Sequence, residues 1–276
     1  MENIMNLKNN SFITYKKNEI EITVRSDLDS NWVNSFLNEF CDDKAVENTK
    51  ILYDKRNTIT KIADPILQKE IAVKEFHLDK TYDQLRFRLL PSKAERSLKI
   101  ARALQKIGLK TPAPLAVIEK RGKTNELIFS YYITDYVDYD FNLLDIAKDF
   151  KHPERYKIRE LMPQLGKEIK RMHQANIVHN DLHAGNILVK DFENKAKLYY
   201  IDLNRGRVKE QLAEKDKIND LKRLKFTDQE KKIFFKNYSP GKWKYYKEKV
   251  SAARQKRRKF VNTKNKIRKF LGIKKD

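Results

Sequence analysis

Apolar positions alternate with period two over short runs in the first half of the chain and recur at three-to-four spacing in the second. Residues 32–40 (WVNSFLNEF) predict a short helix, and residues 50–76 hold three β-like runs, KILYDK, TITKIA and IAVKEF, that predict a small antiparallel sheet. Ser92 to Ile107 reads as a helix with Leu98, Ala101, Leu104 and Ile107 on one face; Gly108 stops it, and Pro112 and Pro114 prevent its continuation. Two more strand-like runs follow, APLAVIEK and ELIFSYYI. Beyond the acidic, aromatic stretch TDYVDYDF the period becomes helical. Pro153 opens a segment with Ile158, Leu161, Leu165, Ile169 and Met172 on one face, and Pro163 marks an expected break or kink. NILVK and KLYYIDL, joined by the turn-like DFENK, predict a hairpin directly after the loop VHNDLHAG. The final third is helical, with a capping box expected at Thr227 and Glu230. Strands first and helices later describe a two-lobed α+β protein. We place an N-terminal lobe at 1–134, a helical lobe at 135–241 and a basic amphipathic tail at 242–276.

Charge changes this picture most. The 276 residues carry a net +22, which calls for an anionic partner: nucleic acid, anionic membrane or anionic substrate. The excess is uneven. Residues 242–276 hold 15 Lys or Arg against Glu248 and Asp276, a net +13. Cys41, the single cysteine, excludes an internal disulfide and reads as an inert thiol near a helix end, which fits a reducing compartment. No apolar run approaches the about 20 residues that span a bilayer. The start, MENIMNLKNNSF, lacks the pattern of a secretory signal, so a cytoplasmic location is expected.

Phosphoryl transfer from ATP needs a carboxylate to orient the acceptor hydroxyl and take its proton, and oxygen ligands for magnesium. In His179-Asn180-Asp181-Leu182-His183-Ala184-Gly185-Asn186, Asp181 can serve as that base and Asn186 as one Mg²⁺ ligand; Asp202, closing the next β run, can bridge metal and phosphates. Lys74 lies inside a buried-looking strand, reasonable if its ammonium binds ATP phosphates, with Glu95 on the following helix as its partner. Taken singly, His179 reads as a core imidazole, Asn186 as a cap and Lys74 as a snorkelling side chain; their combination carries the inference. His173, His179 and His183 lack the spacing of a zinc site.

The ordered set of strand lysine, helix glutamate, H-x-D-L-x-x-x-N loop and metal-binding aspartate resembles the protein-kinase-like superfamily. Within it, LLPSKAERSLKIARALQKIGLKTPAP, SYYI, HNDLHAGNIL and IDLNR resemble the bacterial lipopolysaccharide kinases acting on Kdo or heptose sugars, over roughly residues 50–207. The resemblance implies a two-lobed kinase fold, ATP and Mg²⁺ as cofactors, and a sugar hydroxyl of the lipopolysaccharide inner core as acceptor. Two features depart from the superfamily. Lys55-Arg56-Asn57-Thr58 stands where a glycine-rich loop would be, and Asp202-Leu203-Asn204 replaces Asp-Phe-Gly, so modest ATP affinity and little activation-loop control are expected.

The implied acceptor is a glycolipid on the inner face of the bacterial inner membrane, and we expect the tail to hold the protein there as a peripheral anchor without taking part in chemistry. A rival reading packs Trp243 to Val250 on the helical lobe. The same residues would serve a protein kinase or a soluble small-molecule kinase, and the charge also fits an inactive kinase-like scaffold that binds nucleic acid. A pure scaffold has no physical need for the magnesium and phosphate residues, which weighs against nucleic acid as the partner.

Overall fold

The computed structural model describes residues 11–28, 30–40, 49–78 and 86–270. Cys41, Leu271 and Ile273 lie outside the described residues. The chain divides into two compact units, residues 1–138 with 202–205, and residues 139–201 with 206–276. The division thus falls after Asp138, where the sequence reading put it near Thr134.

In the first unit, β1 (Phe12–Lys17) and β2 (Ile20–Arg25) form a hairpin that the sequence reading did not identify. Its turn residues, Asn18 and Glu19, both have positive φ (48° and 65°), the two-residue geometry that matches strand twist. The three runs at 50–76 are β3 (Thr49–Asp54), β4 (Asn57–Asp64) and β5 (Lys69–Phe76), and the later pair are β6 (Pro114–Arg121) and β7 (Leu127–Asp135). They join one antiparallel sheet in the order β1-β2-β6-β7-β5-β4-β3. Helix α1 (Ser30–Phe40) lays Trp32, Val33 and Phe36 against Ile22, Ile71, Val73 and Ile133, and the Trp32 indole N–H donates to Asp64 at 2.7 Å. On the other face, α2 (Lys93–Lys106) sets Ala94 and Leu98 against Phe76, Val117 and Tyr132. Because side chains alternate along a strand, Lys74 shares the face of Phe76, on the α2 side.

In the second unit, β8 (Phe141–Asn142) leads into α3 (Leu143–Ala147), and α4 (Arg155–Gln174) follows. The expected break at Pro163 is not there: α4 continues through it. The proline removes one backbone donor, but Ile158, Leu161, Met162 and Leu165 are buried around it, and tertiary packing outweighs the lost hydrogen bond. After β9 (Ile177–Val178) and the loop come β10 (Ile187–Lys190), α5 (Phe192–Lys195), in place of a simple turn, and β11 (Lys197–Tyr200). Strands β10 and β11 pair antiparallel as expected, with β8 on the other edge of β10, while β12 (Arg207–Val208) pairs with β9.

Three helices complete this unit: α6 (Glu214–Leu221), α7 (Asp228–Tyr238) and α8 (Trp243–Phe270). Helix α7 opens with the expected capping box and crosses α4 at Gly166, where an added Cβ would lie 2.6 Å from the Phe234 carbonyl oxygen. Arg155 and Glu230 form a buried two-pronged ion pair, Nε to Oε1 at 2.7 Å and Nη2 to Oε2 at 2.8 Å. Burial raises the Glu230 carboxyl, but hydrogen bonds from Arg155 and Thr227 outweigh it and hold the group below its ordinary range. The first turns of α8 bury Tyr246 and Val250 beside α7, with the Tyr246 and Tyr238 rings edge-on at 5.2 Å, as the rival reading of the tail has it.

Candidate active site

Lysine 74 sits mid-strand in β5, opposite Ile59 on β4 and Tyr132 on β7, so sheet pairing on both sides fixes its backbone. Its ammonium reaches the Asp202 Oδ1 at 2.6 Å, with the lysine side chain 15% exposed and the aspartate 34%. Asp202 adopts a left-handed backbone (φ 57°) just before the helical turn Leu203–Arg205, and the Asn204 side-chain amide donates to its Oδ1 at 3.0 Å. Two of the expected residues are thus brought together within the first unit.

Glu95 is not Lys74's partner. It stands at the third position of α2 and closes a capping box, accepting from the Ser92 backbone N–H at 2.5 Å while its own N–H donates to the Ser92 hydroxyl at 2.9 Å. Its carboxylate also lies 3.6 Å from the Arg121 guanidinium. A glutamate at this position satisfies an otherwise orphaned helix N–H, and that local claim on the carboxylate prevails over Lys74.

The loop carrying Asp181 belongs to the second unit and hangs from a residue that the sequence reading missed. Asp220 on α6 is 1% exposed, and its carboxylate accepts the backbone N–H groups of His179 (2.9 Å) and Asn180 (2.7 Å) and the His173 Nε2 (3.2 Å). Three donors make burial of this charge tolerable and pin the loop where Asn180 is left-handed (φ 59°). His179 is structural: its Nε2 faces the Ile201 carbonyl at 3.0 Å, and since a carbonyl only accepts, that nitrogen carries the proton. Asn186, in the turn Ala184–Asn186, donates its side-chain amide to the Asp181 carbonyl at 2.9 Å, which directs its Oδ1 elsewhere as a hard oxygen donor. Such an oxygen and the Asp202 carboxylate are ligand types that fit magnesium.

The Asp181 carboxylate is paired with Arg223 and lies 4.0 Å from the His183 Nε2. Both partners border a cavity of about 370 Å³ that also draws Lys222 and, from α8, Arg254, Arg257 and Arg258. The tail thus helps line a cavity beside Asp181. Nothing in local sequence connects residue 254 to residue 181. Burial, and then the charge of Arg257, lowers both the Lys222 ammonium and the Arg223 guanidinium below their ordinary values. Arg254 is lowered by burial and by Arg258.

An antiparallel sheet unit with a strand lysine on an aspartate, and a helical unit whose anchored loop presents an aspartate and an asparagine, define a protein of kinase-like fold. A solved structure described as WaaP in complex with acyl carrier protein matches with a TM-score of 0.53 at 17% identity, covering 74% of this chain and 88% of that one. Residues 55–243 match the family model of the lipopolysaccharide kinase (Kdo/WaaP) family, and the chain belongs to that family. It is similar to 3-deoxy-D-manno-octulosonic acid (Kdo) kinases. That of Haemophilus influenzae is 27% identical over 51% of this chain and 56% of the relative. Those of Vibrio cholerae (31% identical over 44% and 47%) and Mannheimia succiniciproducens (33% over 37% and 40%) match shorter stretches. The chain thus spans about half the length of the relatives it matches.

Proposed function

We propose that this protein transfers the γ-phosphoryl group of ATP to a hydroxyl of the Kdo sugar in a lipopolysaccharide precursor, with Mg²⁺ as its metal. The observation that carries this reading is the Asp181 loop, pinned by the buried Asp220, in a chain whose family is that of lipopolysaccharide kinases. The choice of Kdo over heptose is supported by the names of the three relatives.

In this reading the acceptor oxygen bonds to the γ-phosphorus, the bond from that phosphorus to the bridging oxygen breaks, ADP leaves with the electron pair, and the hydroxyl proton passes to Asp181. Lys74 would meet phosphate oxygens, and Asp202 and Asn186 are the oxygen donors that would hold the metal. Bound Mg²⁺ would neutralise phosphate charge during transfer.

Membrane binding belongs to the same proposal. No helix among the described residues is long and apolar enough to cross a membrane. On the exposed part of α8, Phe260 (68% exposed) and Ile267 (53%) are seven residues apart and so share one face, flanked by Lys256 and Lys264. That composition supports an interfacial helix on an anionic leaflet.

The test incubates the protein with ATP and Mg²⁺ and a Kdo-bearing or a heptose-bearing precursor, and follows the addition of one phosphate by mass spectrometry. Transfer to the Kdo precursor, abolished by EDTA and reduced about 10²–10⁴-fold in Asp181→Asn, is expected. Transfer to heptose alone, or undiminished transfer by the variant, would overturn the assignment.

A further inference from the structure

Six cationic or protonatable side chains surround one cavity in the second unit: His183 from the Asp181 loop, Lys222 and Arg223 just after α6, and Arg254, Arg257 and Arg258 from α8. No carboxylate is among the described residues that line it. Such an array needs an explanation, because these groups repel one another and several are partly desolvated. Burial first, and then a neighbouring arginine, lowers the Lys222 ammonium and the Arg223 and Arg254 guanidinia alike, the direction expected of crowded, partly desolvated cations. Arg254 is no loose surface group: it donates to the Leu224 carbonyl, which fixes its guanidinium at the cavity wall. The cavity also abuts the chemistry, since Arg223 pairs with Asp181 and His183 stands 4.0 Å from the same carboxylate oxygen.

Helical geometry sets most of this array apart from the exposed apolar stripe at Phe260 and Ile267. Residues 254, 257, 258 and 261 follow the three-to-four spacing of one face, continuing the face that buries Tyr246 and Val250. Phe260 and Ile267 lie about 100° around the helix from Val261 or more. Arg257 shares a face with Lys264, seven residues on, so the array borders that stripe, while Arg254, Arg258 and Val261 lie farther round the helix; a nonspecific tether would not account for those.

We infer that the cavity is the acceptor's anion site: it takes the carboxylate or phosphate of an anionic sugar whose hydroxyl lies at Asp181. This rests on the kinase reading above, with Asp181 as the residue that receives the hydroxyl. A guanidinium pair matches either oxyanion by two parallel N–H···O bonds, and a group held one sugar ring away from the reacting hydroxyl orients it. Kdo is itself a sugar acid, so its carboxylate is one source of the anion; a phosphate elsewhere on the glycolipid is the other.

The experiment compares the wild-type chain, Arg257→Gln/Arg258→Gln, and a charge-matched control, Lys195→Gln/Lys232→Gln, on exposed positions of other helices. Acceptors are a Kdo-bearing glycolipid in detergent micelles, the same lipid with the Kdo carboxylate methyl-esterified, and the same lipid with its phosphates removed. Saturation-transfer NMR with the methyl glycoside of Kdo measures sugar binding without turnover.

We expect the double variant to raise the acceptor KM at least tenfold, with the KM for ATP within twofold of wild type and the control unchanged. Masking the responsible anion should raise the wild-type KM by a similar factor and leave the variant's unaltered; which masked lipid does so identifies carboxylate or phosphate as the source. An acceptor KM indifferent to the double variant and to both modifications, in an active enzyme, would overturn the anion site and leave the kinase reading standing. A wild-type chain that phosphorylates none of the lipids would instead overturn the kinase reading. The cavity is then judged by NMR alone, with the Kdo glycoside and with a monosaccharide phosphate: signals of either probe lost in the double variant support it, and signals of both absent from wild type or equal in wild type and variant refute it.

Discussion

Replacing Asp220 by asparagine should disable the protein without touching any group that handles substrate. The carboxylate offers Oδ2 to the His179 N–H and the His173 Nε2, and Oδ1 to the Asn180 N–H. An amide of the same shape keeps one acceptor and turns the other into a donor. In its better orientation the amide oxygen retains the first two partners, and the Asn180 N–H then faces an NH₂. Hydrogen bonds to a charged group contribute about 1.5–3 kcal/mol each, and a buried donor left unsatisfied costs about 1–3 kcal/mol. A destabilisation of about 3 kcal/mol follows, equivalent to a fall in Tm of about 6–12 °C for a chain of this size. The functional effect should be separable. Asn180 holds a left-handed backbone, φ 59°, a conformation that asparagine tolerates, and the Asp220 carboxylate fixes it there. Once released, the loop relaxes and carries Asp181 with it, and a shift of about 1 Å lowers turnover by about 10²-fold. The assays are thermal denaturation and steady-state kinetics at a temperature where the variant is folded. The kcat should fall while the KM for ATP stays within about twofold. A variant with wild-type kcat and a Tm within about 1 °C would refute the anchoring role.

Asp202→Ala removes Lys74's carboxylate partner and the proposed metal ligand together; nucleotide binding followed by a fluorescent ATP analogue should lose its dependence on Mg²⁺, and retained dependence would remove Asp202 from the metal site. Glu230 is held below its ordinary 4.5, so its ion pair with Arg155 contributes stability above that pH and loses it as pH falls through the lower folded value. Glu230→Gln should therefore be less stable at pH 7, by about 3–5 kcal/mol for a broken buried pair, and should show a flatter urea-midpoint profile below pH 4.5. A parallel profile would contradict the linkage. Gly166→Ala forces a Cβ to 2.6 Å from the Phe234 carbonyl oxygen, so α4 and α7 must separate; a loss of about 1–3 kcal/mol is expected in urea denaturation, and an unchanged midpoint would mean that the crossing is looser than it looks.

What was legible in the sequence had local causes. The strands at 50–76 and the capping box at Thr227 follow from alternation and from residues three apart, and the Asp181 loop is a contiguous motif. The first hairpin escaped notice because its turn is Asn18-Glu19, without the glycine that usually marks a two-residue turn. Glu95 was misjudged because one residue type serves both a helix cap and an ion pair, and only the three-dimensional arrangement shows which use prevails. Pro163 reads as a breaker locally and is overruled by packing. Asp220, Arg223 and Arg257 lay beyond reach for a different reason: KINDLKR and ARQKRRKF are ordinary charged-helix compositions, and their meaning lies in contacts with residues far along the chain.

The allocation of residues 202–205 to the first unit, between stretches that belong to the second, bears on how such a protein can be inherited and engineered. Neither unit is a continuous segment of the gene. A fragment ending at Asp138 would keep Lys74 yet lack Asp202, leaving a half-buried ammonium without its carboxylate. No single recombination point exchanges one unit for a homologue's without splitting that pair between two parents. Chimeras that join at Asp138 should therefore work only when the second parent's aspartate segment suits the first parent's sheet, which couples the two units in descent even where their surfaces are free to diverge.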